Sequence, residues 1–136
     1  MKNLKVIDTL NLEIEFHSGN VGDLQKKLND NFHFNFEWVS EDLLISLRYL
    51  DFLKTFQKAY NELTDPDVGL LIEILRNEKK QKEHSILTRN FTNKSTSTLA
   101  NFKDECDLKA SQIIIKIYGR IINILLNDQK VSRQTN

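Results

Sequence analysis

Residues 113–126 read IIIKIYGRIINILL, a run so apolar that the remaining chain must fold around it. Apolar residues with helical spacing lead into the run from Leu99, which predicts one long helix from about Thr98 to Asn127. Because a helix that is apolar nearly all round needs cover, the run belongs either in the centre of a bundle or in a self-association surface. The sequence therefore predicts either a central helix that the rest of the chain covers or, where the chain is too small to cover it, a homodimer through the 113–126 helix. The β-branched isoleucines and Gly119 leave a β-hairpin open as the alternative.

Two further helices are predicted upstream of this run. Ser40 is a suitable N-cap, and the acidic residues in the turn after it favour a helix that continues to about Leu63. The sequence Thr64-Asp65-Pro66 ends that helix and starts another, with Asp65 as the cap and Pro66 in the first turn.

The chain after this turn changes from apolar to polar. Residues 68–75 are apolar and have helical spacing, whereas residues 77–84 lack an apolar stripe and predict either a solvated helix or a loop. Residues 85–97 are rich in Ser, Thr and Asn, whose side chains hydrogen-bond the local backbone outside regular structure. They predict an exposed loop before the last helix.

The front of the chain shows the alternation typical of a β-strand twice. Leu10 to Phe16 alternates apolar and polar residues, and Phe32 to Trp38 repeats the pattern with aromatic side chains on one face. Val21 to Leu28, between them, has a short helical stripe. The predicted fold class is therefore α+β, with a short two-stranded β element (strand-helix-strand) followed by a three- to four-helix bundle, mostly α.

Composition limits the class of protein. With 136 residues, of which 40% are hydrophobic, the chain can bury one core, so residues 1–130 are predicted to form a single compact domain and residues 131–136 a disordered polar tail. The one cysteine, Cys106, excludes an internal disulfide and a Cys-rich zinc site. The sequence offers no secretory signal and no membrane span, which predicts a cytoplasmic protein without a membrane partner. No metal-ligand spacing and no phosphate-binding glycine loop is found, so no metal or cofactor is expected.

Charge is divided unevenly along the chain. Residues 1–68 hold 7 Lys/Arg and 12 Asp/Glu, whereas residues 69–136 hold 12 and 7, so the two halves have opposite sign. Residues 76–103 alone carry 7 bases and 2 acids. This stretch predicts a solvated basic surface, which attracts acidic proteins or polyanions. Attraction between the halves of one chain, or between two chains head to tail, would use the same charges.

The predicted binding residues all lie in this basic stretch. Their cations can contact carboxylates or phosphates, and a nearby aromatic ring can stack on a base. The predicted partner is therefore an acidic protein or a nucleic acid, and a solvated surface without a ligand is the alternative. The binding residues are Lys79, Lys80, Lys82, Arg89, Phe91, Lys94 and Lys103.

Arg76 and Asn77, followed by His84, resemble the Arg-polar-His motif of the HEPN ribonucleases, which are helical dimers whose Arg and His act on the scissile phosphate. The resemblance implies a ribonuclease with Arg76 and His84 as catalytic residues. In that family fewer residues separate the Arg from the His than the seven that separate them here. One extra residue turns the His by about 100° on a helix, so the two side chains would not share the expected face.

No catalytic motif occurs with the spacing that its chemistry requires. The predicted function is that of a small intracellular, non-enzymatic interaction or regulatory protein that uses the basic stretch 76–103. An accessory subunit, an immunity-type inhibitor or an adaptor would be of this kind. The alternative is a nucleic-acid-binding protein or a HEPN-like ribonuclease centred on Arg76 to Lys94.

Overall fold

The computed structural model describes residues 2–30, 36–90 and 98–135, with the backbone alone for residues 30, 89–90 and 131–135. Within these ranges the chain forms helices and no strand. In chain order the helices are α1 (Leu4–Asp30), α2 (Phe36–Glu62), α3 (Val68–Asn90) and α4 (Thr98–Thr135). The helical bundle is confirmed, and the α+β fold class is wrong.

The strand-helix-strand prediction fails because α1 is one continuous helix. In a strand from Leu10 to Phe16 the apolar residues would share one face, yet Leu10 is buried while Leu12 and Phe16 are 67% and 70% exposed. The helical stripe of buried residues, which includes Val6, Leu10 and Val21, sets the true period. The alternation therefore arose from two apolar side chains that face solvent.

The second predicted strand, Phe32 to Trp38, lies partly outside the described residues. Its last three residues form the first turn of α2, where Phe36 and Trp38 are more than half exposed. The helix thus begins before Ser40, the predicted cap, and it ends at Glu62, close to the predicted end.

The turn between α2 and α3 uses its two aspartates differently from the prediction. Asp65 has a φ of 45°, in the left-handed region that reverses the chain after a helix. Asp67 is the cap of α3, because its Oδ1 accepts a hydrogen bond from the Leu70 amide at 3.1 Å. Pro66 therefore precedes the cap instead of occupying the first helical turn.

The polar segment after residue 76 is helical. Helix α3 continues to Asn90, so the solvated-helix alternative for residues 77–84 is confirmed. The predicted loop is wrong for residues 85–90, and its remainder, 91–97, lies outside the described residues. Helix α4 continues past Asn127 to Thr135. The division into one domain and a disordered tail stays a prediction, although the helical backbone enters the tail segment.

Helix α4 lies at the centre of the bundle. Helix α1 packs on α2, α2 packs on α4, and α1 also touches α4. Helix α3 packs on α4 alone, and among the described residues it contacts neither α1 nor α2. The core forms where α4 meets its neighbours, and its buried members are Val6, Leu10, Tyr49, Leu53, Tyr60, Ile72, Leu75, Ile114, Ile117, Tyr118, Ile121, Ile122 and Leu125.

This packing covers the apolar run without a second copy. Its residues adopt the helix and not the hairpin, and Ile117, Ile121 and Leu125 are at most 1% exposed. No large apolar side chain of residues 113–126 is exposed on the described chain. The reason for predicting a homodimer through this helix is therefore removed. None of the helices in the described ranges is both long and apolar enough to cross a membrane.

Truncation of Ile121 tests this arrangement. Ile121→Ala should lower the free energy of unfolding by about 2–5 kcal/mol, because the site lies in the central core and the lost methylenes leave a cavity. Leu99→Ala, at a residue 77% exposed on the same helix, should change it by less than about 0.5 kcal/mol. Urea unfolding followed by far-ultraviolet circular dichroism measures both variants, and equal effects would contradict the central position of α4.

Candidate functional site

A groove of about 630 Å³ runs between α3 and α4. It contains three of the cations of the basic stretch together with two carboxylates from the same helix. Its residues are Glu73, Arg76, Asn77, Lys79, Lys80, Glu83, Gly119, Ile122 and Asn123. The structure thus brings Arg76, Lys79 and Lys80 together at one concave surface.

Gly119 lets the Lys79 side chain lie against α4. A Cβ at this position would stand 3.8 Å from the Lys79 Nζ, which is an ordinary van der Waals contact, so the lysine ammonium group lies directly over the Gly119 backbone. Lys79 is half-buried, and its Nζ lies 3.8 Å from Glu83 Oε1, one turn along α3. The groove therefore holds this ammonium group close to the seam of the two helices.

The same groove opens onto the exposed side of α4. Lys116, Arg120 and Asn123 are exposed and recur at helical spacing around Gly119, so they share one side of the helix. Asn123 and Gly119 line the groove with α3, whereas Arg120 reaches the opposite neighbour, where its Nη1 donates to Glu13 Oε1 of α1 at 2.7 Å. This side of α4 is therefore bordered by α3 on one edge and α1 on the other.

Helix α1 contributes apolar side chains to this border. Arg120 meets Glu13, and residues near the start of α1 line a second cavity with Asn127, so α1 and α4 run antiparallel. Leu12 and Phe16 lie one turn apart on the same side of Glu13 on α1 and are 67% and 70% exposed. We call the surface from these two residues across α4 to α3 the open face. It consists of Leu12, Phe16, Arg76, Lys79, Lys80, Lys116, Gly119, Arg120 and Asn123.

The cations of the open face differ in how they are neutralised. Arg76 Nη1 lies 3.1 Å from Glu73 Oε1, and Arg120 is paired with Glu13. Lys80 and Lys116 are exposed and form no hydrogen bond or ion pair with any described residue. The open face therefore carries two uncompensated positive charges beside three that are weakly or partly compensated.

A polar network lies behind the open face and joins three helices. Glu13 Oε2 accepts a hydrogen bond from the Tyr49 hydroxyl at 3.1 Å and lies 3.4 Å from His17 Nε2, while Oε1 holds Arg120. Burial, reinforced by Glu13, raises the pKa of Tyr49, which keeps its hydroxyl protonated as a donor. The network fixes the position of the Glu13 carboxylate and, through it, that of the Arg120 guanidinium group.

His17 is the titratable centre of this network. Its imidazole meets the Tyr49 ring edge-on, with the ring centroids 4.7 Å apart, and its Nδ1 is buried without a hydrogen-bond partner among the described residues. Burial lowers the pKa of His17, and this effect outweighs the opposing pull of the Glu13 carboxylate. The neutral imidazole is therefore the form that the fold favours.

The remaining predicted binding residues lie away from the open face. Lys82 is two residues from Lys80, so it points to the other side of α3. That side holds Glu78, which together with the larger effect of burial raises the pKa of Tyr118 to about 12. Lys103 is exposed near the start of α4, about 20 Å along the helix from Lys116.

Three predicted residues cannot be placed in the site. Only the backbone of Arg89 is described, in the last turn of α3, and Phe91 and Lys94 lie outside the described residues. The basic stretch is thus not one surface, because its cations are distributed around α3 and along α4.

Arg76 and His84 do not meet within one chain. Eight positions on a helix place them about 12 Å apart along the axis and about 80° apart around it. Arg76 is engaged by Glu73, and the exposed His84 side chain has no partner among the described residues. Their placement supplies no joint site on a single copy of the chain.

The sequence analysis did not name most residues of the open face and its network as site residues, among them Lys116, Arg120, Glu13, His17 and Tyr49. Lys116 and Arg120 appeared only as polar interruptions of the apolar run, although their spacing of four already puts them on one side of a helix. Glu13 and His17 are also four residues apart, but this spacing places them on one side only if the segment is helical, and the segment was predicted to be a strand. Tyr49 was assigned to the apolar face of α2. The contacts of Glu13 with Tyr49 and Arg120 join different helices, and no pattern in the sequence indicates them.

Comparisons with known proteins give no further guide. No family model matches the chain, and no match is found among curated proteins or solved structures. In the described residues, no three His, Cys, Asp or Glu side chains lie together as metal ligands would. What the open face binds must therefore follow from its own charges, exposure and shape.

The lowered pKa of His17 predicts an acid-sensitive fold. An unfolded chain protonates His17 near its usual pKa of 6.5, whereas the folded protein resists protonation, so stability present above pH 6.5 is lost as the pH falls below it. His17→Gln should flatten the fall of the melting temperature between about pH 7 and pH 5. His84→Gln, the matched change on α3, should retain the wild-type dependence because His17 is intact. Identical pH profiles for wild type and His17→Gln would contradict this account.

Proposed function

We propose that this chain is a non-enzymatic interaction protein whose open face binds an acidic segment of a protein partner. The observation that carries the proposal is the pair of uncompensated cations, Lys80, which lines the groove on α3, and Lys116, which lies three residues before the groove-lining Gly119 on the same side of α4. Accessory subunits, immunity-type inhibitors and adaptors act by binding of this kind. Cytoplasmic location belongs to the same proposal, and it suits a chain whose one thiol, Cys106, is free and buried.

The other cations of the open face are available to a partner. Arg76 and Glu73 are 47% and 70% exposed at their side chains, and ion pairs of that exposure contribute about 1 kcal/mol or less. Lys79 lies at the outer limit of ion-pair distance from Glu83. A partner carboxylate can therefore replace these internal acids at little cost in free energy, which adds to the attraction of Lys80 and Lys116.

An acidic protein suits this surface better than a nucleic acid does. Glu73 and Glu83 line the groove beside the cations and divide its positive charge into separate patches, which suits the spaced carboxylates of a protein better than the unbroken row of phosphates of a nucleic acid. Leu12 and Phe16 are exposed at the α1 edge, and interfaces between proteins combine such apolar contacts with a polar rim. The nucleic-acid alternative, including ribonuclease activity of Arg76 and His84, rests on the basic composition alone.

Titration with poly-L-glutamate tests the proposal. Binding should be measurable at low salt and weaken as sodium chloride is added, because the attraction is between exposed charges. The double variant Lys80→Glu/Lys116→Glu should bind about tenfold or more weakly, a change of about 1.4 kcal/mol or more. Lys58→Glu, at an exposed lysine of α2 without a partner in the described residues, should bind like wild type.

Two results of this titration would contradict the proposal. Absence of poly-L-glutamate binding at low salt, or equal loss in the Lys58→Glu control, would refute the open face as an acidic-partner site. Poly(U) titrated in parallel decides between partner classes, and tighter, steeply salt-dependent RNA binding would favour the nucleic-acid alternative. His84→Ala then separates binding from cleavage, because loss of RNA cleavage on this change would support the HEPN-like site.

A further inference from the structure

The open face has the form of a vacant helix position. Helices α1, α2 and α3 all pack on α4, whereas α1 and α3 do not touch each other in the described chain. The exposed side of α4 that carries Lys116 and Arg120 lies between them. Packed helix axes lie about 8–10 Å apart, so one more helix resting on α4 would contact both of its neighbours.

The exposed side chains of the open face change from apolar at the α1 edge to cationic at the α3 edge. At the α1 edge Leu12 and Phe16 expose apolar side chains. Over α4 and at the α3 edge they are mainly cationic, with Lys116 and Lys80 uncompensated. A ligand that satisfies both edges needs an apolar side and an acidic side.

The surface offers little to an extended peptide. Extended segments usually bind by adding a strand to a sheet edge, where free backbone groups await them. Here the described chain is helical, so its backbone donors and acceptors are paired within the helices. A helical ligand satisfies its own backbone and presents only side chains, which is what this groove can receive.

We infer that the open face receives one acidic amphipathic α-helix of a partner protein, laid along α4 between α1 and α3. Its carboxylates face Lys80, Lys116 and the neighbouring arginines, and its apolar stripe covers Leu12 and Phe16. This inference rests on the proposed function and narrows the acidic segment to a helix with one apolar side.

A second copy of the chain is a poorer occupant. Exposed lysines stand beside acids on α1 and α2, as Lys5 beside Asp8 and Lys54 beside Asp51, and Glu41 at the acidic start of α2 is already paired with Lys109. Docked on the open face, such a helix would bring like charges towards Lys80 and Lys116, which is unfavourable. Complementary charge therefore points to a different chain.

Two designed peptides of identical composition test the inference. In the first, Glu and Leu recur at i, i+4 on adjacent sides of a helix of about 21 residues; in the second, the same residues are permuted so that no apolar side forms. Fluorescence polarisation at low salt should show the amphipathic peptide binding about tenfold tighter than the permuted one. Poly-L-glutamate, titrated in parallel, reports the proposed function separately.

Variants of the protein locate the apolar contact. Phe16→Ser should weaken binding of the amphipathic peptide about fivefold or more. Leu70→Ser, which removes a 60% exposed side chain from the outer side of α3, should leave it unchanged. Circular dichroism of both variants verifies the fold, since neither residue is buried.

The outcomes separate the two claims. If poly-L-glutamate binds and the two peptides bind equally, the helix inference is overturned and the proposed function stands. If Phe16→Ser and Leu70→Ser have the same effect, the helix inference is also overturned. Sedimentation that reveals a dimer dissociated by Lys116→Glu would identify a second copy as the occupant and overturn it too. Failure of poly-L-glutamate as well as both peptides removes the proposed function itself.

Discussion

The burial of the middle of α4 is the constraint on which the rest of the structure depends. Ile117, Ile121 and Leu125 point to the centre of the core, and residues on either side of them are also apolar. One neighbouring helix covers only one stripe, so three helices are needed to remove this surface from water. Helix α3 has no other packing partner among the described helices, which shows that its position is set by α4 alone.

The same constraint places the polar residues of the run. Lys116 and Arg120 fall on the exposed side of α4, between its contacts with α1 and α3 in the described chain, because an uncompensated charge in the core would be too costly. Part of the charge asymmetry of the chain is resolved inside the molecule. Arg120 pairs with Glu13, and Lys109 pairs with Glu41, so cations of the second half meet acids of the first. Lys80 and Lys116 of the open face have no such partner among the described residues.

The sequence predicted α2 and α4, which have wide apolar stripes, better than it predicted α1. The long last helix and the helix ending near Leu63 were expected because their apolar residues recur over many turns. The front of the chain was misread since Leu12 and Phe16 are apolar but exposed, which imitated a strand. Of the site, Arg76, Lys79 and Lys80 were named in advance, whereas Lys116 and Arg120 were not, because their role depends on which side of α4 stays uncovered.

Local chemistry in the chain was enough to determine that a central apolar helix exists, that the protein folds as a bundle and that its charges are divided between its halves. These properties depend on residue type and spacing within one segment. Which cations share a surface was decided by tertiary packing alone. Lys80 and Lys82 are near neighbours in sequence and lie on different sides of α3, whereas Lys80 and Gly119 are distant in sequence and line the same groove. Residues on different helices share a surface only because the helices pack against each other.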